Sequence, residues 1–140
     1  MQRKTMATFA GLLTSLAFGG MAFFTLVMAP LVFGKLGPDQ GGRLMRDAFA
    51  LYYPVMAGLT GLAAISAPPF WMGALLSLVA SGFILAHLML RPEINRLSDR
   101  RADGDAEAAG QFRRLHGLSQ MLNLAQFLAL FVVVFGMVNH

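Results

Sequence analysis

The chain contains no cysteine, which removes disulfides, thiolate metal centres and cysteine nucleophiles from consideration. Charge is scarce as well. Only 13% of its 140 residues are Asp, Glu, Lys or Arg, about half the ~25% of an ordinary soluble domain. The acidic residues all fall outside three uncharged runs, Thr5 to Gly34, Ala48 to Leu90 and Leu115 to His140. A carboxylate proton relay or a carboxylate di-metal site within those runs therefore has no ligands. No Ser-His-Asp order, Walker loop or HExxH motif is present, so the common hydrolytic and nucleotide-handling chemistries lack their residues. The net charge of +4 comes from loop residues, with no aromatic-basic surface to accompany them, and no nucleic-acid partner is expected.

What the chain has in abundance is apolar length. The middle run extends for 43 residues and is cut once, at Pro68-Pro69. Each half is close to the about 20 apolar residues that span a hydrocarbon core of ~30 Å. The flanking runs are each long enough for one more span. The opening Met1-Gln-Arg-Lys-Thr superficially resembles a secretory signal, but the apolar run behind it far exceeds a signal core of about 7–15 residues, and we read it as a retained helix. The expected fold is all-α: an integral-membrane four-helix bundle with helices about 6–33, 44–66, 69–101 and 105–138, forming a single four-span domain over residues 1–140.

Breakers and caps set the expected boundaries. Gly34-Lys-Leu-Gly-Pro-Asp-Gln-Gly-Gly reads as a loop between the first two helices. The prolines Pro68 and Pro69 make the tight second connection, and Phe70 and Trp71 suit an interfacial aromatic belt. Beyond Arg91-Pro92, Ile94 and Leu97 are spaced three apart among charges, so a helix should continue into water. Asp103-Gly104-Asp105 reads as its turn, with Asp105 the N-cap of the last helix. The last two helices thus form a hairpin with a charged extension.

Nine basic residues, Lys35, Arg43, Arg46, Arg91, Arg96, Arg100, Arg101, Arg113 and Arg114, lie in the first and third connections, against Arg3 and Lys4 on the other side. The positive-inside rule then puts segments 34–47 and 91–114 in the cytoplasm and both termini outside, as in a multi-pass protein of a bacterial inner membrane. Small residues recur at helix-face spacing: Gly11, Ser15, Gly19 and Ala22; Ala50, Pro54, Ala57 and Gly61; Gly73, Ser77 and Ser81. Such stripes let helix backbones approach in lipid, within one chain or between copies in a homo-oligomer.

Polar residues inside apolar helices carry the functional signal. His116, Ser119, Gln120, Asn123 and Gln126 fall within one stripe roughly 120° wide at about 100° per residue. Lipid leaves such groups unsatisfied, so the stripe must face protein. His87, one turn before Arg91, is expected at a depth close to Ser119, and Tyr52 and Tyr53 reach the same layer. The candidate binding set is His87, His116, Gln120, Asn123, Ser119, Tyr53 and Arg91, with His87 and His116 as metal or haem ligands and no catalytic residues assigned. Two histidines without acids suit axial haem ligation, or a partial metal site completed by Asn, Tyr or water. Each residue also has an ordinary structural reading, as an interfacial histidine or an interhelical hydrogen bond. The scattered methionines form no Met-x-Met copper motif and read as packing.

Ala29-Pro30-x-x-Phe33, the aromatic Phe49, Tyr52 and Tyr53, Arg91-Pro92-Glu93, and Leu115-His116-Gly117-x-Ser119 with Asn123-Leu124 together resemble the transmembrane protein 205-like family. The resemblance spans nearly the whole chain and implies a small four-span membrane bundle of unknown function, without catalytic residues to carry over. Gly20-x-x-Phe23-Phe24 followed by Ala29-Pro30 is more faintly similar to copper-resistance D and membrane protoporphyrinogen oxidase bundles, although the first helix here has no histidine. Three functions follow as expectations: a bundle binding haem, a metal or a small hydrophobic molecule; a structural accessory to a membrane-protein partner; or a haem-dependent membrane oxidoreductase.

Overall fold

The computed structural model describes residues 2–139, which contain helix and no strand. Three helical runs, Gln2–Ser66, Phe70–Ala102 and Ala106–Val138, are each long and apolar enough to cross a membrane. Within them we distinguish α1 (Gln2–Phe23), α2 (Ala29–Ser66), α3 (Phe70–Leu85), α4 (Arg91–Ala102) and α5 (Ala106–Val138). Single π-helical turns, Phe24–Met28 and Ala86–Leu90, join α1 to α2 and α3 to α4.

The first run is bent back on itself. Gly37 adopts φ 72° and ψ 178°, a backbone region that only glycine enters freely. Pro38 follows, and its missing N–H and preset φ suit a first helical turn. The consequence shows in the rings: Phe24 stacks on Tyr52 at 4.7 Å between centroids, whereas a straight helix would hold them ~42 Å apart. This corrects the expected pattern of four separate helices with a loop through residue 43. The structure has three helical runs, and the break between the arms of the first is one residue wide, because Gly37 turns the chain and Pro38 restarts the helix at once.

The arms stand side by side, with α1 on α2, α2 on α3, α3 on α5 and α5 on α1. At one end Arg3, Pro68, Pro69, Phe70 and Val138 line a common groove, so the start of α1, the α2–α3 connection and the end of α5 lie together. At the other end Arg46 donates to both oxygens of Asp99, at 2.7 and 3.3 Å, and to the Asn95 carbonyl at 3.3 Å. This ties α2 to α4. The charged hairpin is closed by Gly104 at φ 91° and by the Asp105 carboxylate, which accepts from the Ala108 N–H at 3.0 Å. Asp105 is therefore the N-cap of α5 that the sequence predicts.

The two π-turns have one cause. In each, the first residue of the next helix donates across five residues, Ala29 N–H to the Phe24 carbonyl and Arg91 N–H to the Ala86 carbonyl. In each, the following residue is proline, Pro30 or Pro92. A proline ring collides with the carbonyl four residues back and brings no N–H, and widening the preceding turn relieves the collision.

The buried faces are not the expected small-residue stripes. Ala10, Thr14, Ala17 and Met21 of α1, Tyr53, Met56, Thr60 and Ala63 of α2, and Met72, Leu76, Val79 and Phe83 of α3 are buried. Ser15, Gly19, Pro54, Ser77 and Ser81 are exposed. Spacing alone does not say which of two adjacent stripes faces inward. Close approach does occur at Gly73, where an added Cβ would lie 3.0 Å from the Ala64 carbonyl oxygen, and at Gly136, where it would meet Met72 at 2.8 Å. Intrahelical bonds satisfy the hydroxyls of Thr14, Thr60, Ser77 and Ser81, each donating to the carbonyl four residues back at 2.7–2.8 Å.

Candidate functional site

The π-turns and the aromatic residues of α2 frame the candidate site. Tyr53 is 4% exposed and stacks on Phe49 at 5.1 Å. Tyr52 and Phe83 close the cluster with edge contacts at 6.1 Å. Such offset and edge-on pairs align ring edges with neighbouring faces and add packing beyond buried area. The Tyr53 hydroxyl faces the side chains of Ser119 and Asn123, and the Arg91 guanidinium lies close enough to act on it electrostatically. Tyr53, Arg91, Ser119 and Asn123 thus come together from α2, the start of α4 and α5.

Among the described residues, three buried side-chain atoms lack partners: Gln126 Oε1, and two nitrogens near the second π-turn. His87 Nδ1 and Arg91 Nε are enclosed and make no hydrogen bond. Both belong to the stretch around the second π-turn, which shifts the side chains of that segment away from regular helical register. Unpaired buried nitrogens are costly, and in native proteins each such group calls for a specific explanation.

Beside this cluster lies a cavity of about 370 Å³, within the ~300–1,000 Å³ range of small-molecule sites. Phe24, Phe49, Tyr52 and Phe127 form aromatic walls, and Gln120 and Asn123 add polar groups. Asn123 belongs both to the cavity lining and to the Tyr53 cluster, so the two are contiguous. Leu26 and Leu124, also in the lining, are 71% and 51% exposed. The cavity is reached sideways, between helices.

The polar stripe of α5 is divided by packing. Ser119 and Gln126 are buried, Asn123 is half-buried, and His116 and Gln120 are exposed. Relative to His116, Ser119 and Gln126 sit near −60° and −80°, whereas Gln120 is near +40°. The helix therefore buries one edge of its stripe and turns the other outward. His116 stacks on Phe112 at 5.5 Å, and Arg101 lies 4.1 Å over the same Phe112 ring. His116 belongs to the charged hairpin's aromatic stack, while His87 is half-buried with its Nδ1 enclosed. Gln126, part of the stripe but outside the expected binding set, donates to the Val79 carbonyl at 3.1 Å. Gly82 makes this possible, since a Cβ there would lie 2.8 Å from Gln126 Nε2.

Among the described residues no three His, Cys, Asp or Glu side chains gather as a metal site. The signals that sequence reading passed over were the aromatic wall and the π-turns. Ala29-Pro30 and Arg91-Pro92 announced the latter, because π-turns cluster at functional sites.

Fold and site together define a small, all-helical protein of membrane type with a cavity between its helices. Residues 12–103 match the family described as Domain of unknown function (DUF4149), and the chain belongs to that family. The matched range includes Tyr53, His87 and Arg91 and ends before α5. Neither the comparison with curated proteins nor that with solved structures gave a match.

Proposed function

We propose that the protein crosses the bilayer four times, once with each arm of its first run and once with each later run, and holds a small bilayer-derived molecule in its lateral cavity. The basic segments 34–47 and 91–114 then lie in the cytoplasm with both termini outside. The transmembrane protein 205-like resemblance of Arg91-Pro92-Glu93 and the segment from Leu115 to Ser119 belongs to the same reading. The observation that carries it is the cavity itself: aromatic walls, polar Gln120 and Asn123, and a rim of exposed Leu26 and Leu124. A molecule dissolved in lipid enters such a site without passing through water.

The test uses protein purified in mild detergent and the neutral fluorescent probe cis-parinaryl alcohol. The native chain should bind it saturably. Thr25→Trp, which fills the cavity from an exposed lining position, should abolish binding while leaving the fold intact. No saturable binding by the native chain would sink the cavity reading and favour the structural-accessory role. A visible spectrum separates the haem variant: a Soret band lost in His87→Ala would assign haem there, and a featureless spectrum from haem-replete cells would remove it.

A further inference from the structure

At the opposite end of the molecule, the start of α1, the Pro68-Pro69 connection and the end of α5 enclose an open groove of about 850 Å³. Its lining includes Arg3, Thr8 and Gly11 of α1, Pro69, and Val134 and Met137 of α5. Gly11 keeps the wall low, since a Cβ there would only touch Met137 Sδ, at 3.8 Å. The Thr8 hydroxyl is already satisfied, donating to the Lys4 carbonyl at 2.9 Å. Arg3 is the charged member of this lining, and a guanidinium keeps its charge in any environment a protein provides. The acidic residues begin at Asp39, beyond the Gly37 bend, and none falls in the runs that build this end, Ala48 to Leu90 and Leu115 to His140. No ion pair among the described residues includes Arg3. An exposed cation thus heads an apolar groove with no acidic side chain at its end of the fold.

The depth is that of a lipid head group. Phe70, also in the lining, is 89% exposed and Trp71 43%, the placement of an interfacial aromatic belt. From Arg3, Gly11 lies ~12 Å farther along α1, toward the apolar middle of the helix. We infer that the groove seats an anionic phospholipid of the surrounding bilayer, its phosphate on Arg3 and an acyl chain along Gly11, Val134 and Met137. The guanidinium fork matches phosphate oxygens. A zwitterionic lipid brings an ammonium that offsets its phosphate, so a head with net negative charge is preferred. The inference rests on the bilayer-spanning reading and is independent of the aromatic cavity.

The chain's one tryptophan supplies the readout. Trp71 adjoins the lining residues Phe70 and Met72, and its ring reaches Gly136, between Val134 and Met137. The full chain is placed in dioleoylphosphatidylcholine vesicles at physiological ionic strength. Part of the lipid is then replaced by dibrominated phosphatidylglycerol or, at equal mole fraction, by dibrominated phosphatidylcholine, whose bromines quench tryptophan on contact. The native chain should favour phosphatidylglycerol about fivefold in relative binding, the worth of one cation against an anionic head. Arg3→Gln should bring the two lipids within about twofold, whereas Lys4→Gln, outside the lining, should keep most of the preference. Thr8→Phe, which fills the groove from an exposed position, should abolish the preference with Arg3 intact. Equal quenching of the native chain by the two lipids would overturn the inference and leave the bilayer reading standing. Equal losses in Arg3→Gln and Lys4→Gln, or a preference that survives Thr8→Phe, would overturn the groove as its seat. Quenching by neither lipid would remove the bilayer reading and the inference with it. The native comparison needs no variant, so a poorly folding substitution does not shield the proposal.

Discussion

The two ends of the molecule are packed by opposite means. Toward Pro68-Pro69, helices approach because side chains are missing: Gly73 lies against the Ala64 carbonyl, and Gly136 receives Met72 and Trp71. Toward Gly37, the helices are held apart by rings, with Phe24, Phe49, Tyr52, Tyr53 and Phe83 in contact. The close contacts of the first end are local, and an open groove of about 850 Å³ lies beside them, lined by Arg3, Gly11, Pro69, Met72 and Val138. Rings in offset contact leave gaps, and the cavity opens there, lined by the first π-turn and by Gln120 and Asn123. Both ends therefore leave space, and what sets the aromatic end apart is a smaller cavity with ring walls and the amides of Gln120 and Asn123 in its lining.

Substitutions can break this contrast. The largest effect is expected from Phe83→Ala, because Phe83 is fully buried and touches both tyrosines. Removing a buried ring costs about 3–5 kcal/mol, read as equilibrium unfolding in mixed micelles. At the opposite end the sensitive direction reverses. Gly73→Ala drives a Cβ to 3.0 Å from a backbone oxygen that cannot yield easily, and overpacking of this kind costs about 1–3 kcal/mol. Gly58 has nothing within 4 Å, so Gly58→Ala should be neutral or gain up to about 1 kcal/mol of helix propensity. If the two alanine variants unfold alike, the close-packing account of that end is wrong.

The smallest effect is expected at the charged hairpin. The Arg46 guanidinium, donating to Asp99, holds that carboxyl below the usual range. Asp105 is held low first by the Ala108 N–H and then by Arg100. A depressed carboxyl pKa contributes stability above its unfolded value and loses it as pH falls through the folded one. The melting temperature should therefore be flat from about pH 5 to 8 and decline below about pH 4. Asp99→Asn combined with Asp105→Asn should lower the plateau slightly, since exposed pairs contribute little, and flatten the decline. An unchanged decline in that double variant would mean other carboxylates govern it.

Much of the fold was legible because bilayer-length apolar runs leave few alternatives. Asp105 was readable as a cap because Asp before a helical run, next to a Gly turn, has a local mechanism. The connection after Phe33 was misread as ten residues of loop, because Gly34, Gly37, Pro38, Gly41 and Gly42 all carry the same breaker signal. Local propensity cannot tell which of several glycines bends. Of the candidate site, Tyr53, Ser119, Asn123 and Arg91 are brought together. His116 lies on the exposed edge of its helix, a partition that depends on the angle at which α5 packs on α1 and α3.

The amino-acid sequence by itself determined that the chain is helical and long in apolar residues, where its charged hairpin turns and caps, and, through Pro30 and Pro92, where its helices widen. Those properties depend on composition and on interactions within a few residues. Tertiary structure alone decided which glycine folds the first run, which face of each helix is buried, and which half of the polar stripe faces inward. It also left a cavity walled by Phe24, Phe49, Tyr52 and Phe127. These outcomes turn on how helices rotate and approach one another, which no single stretch of sequence specifies.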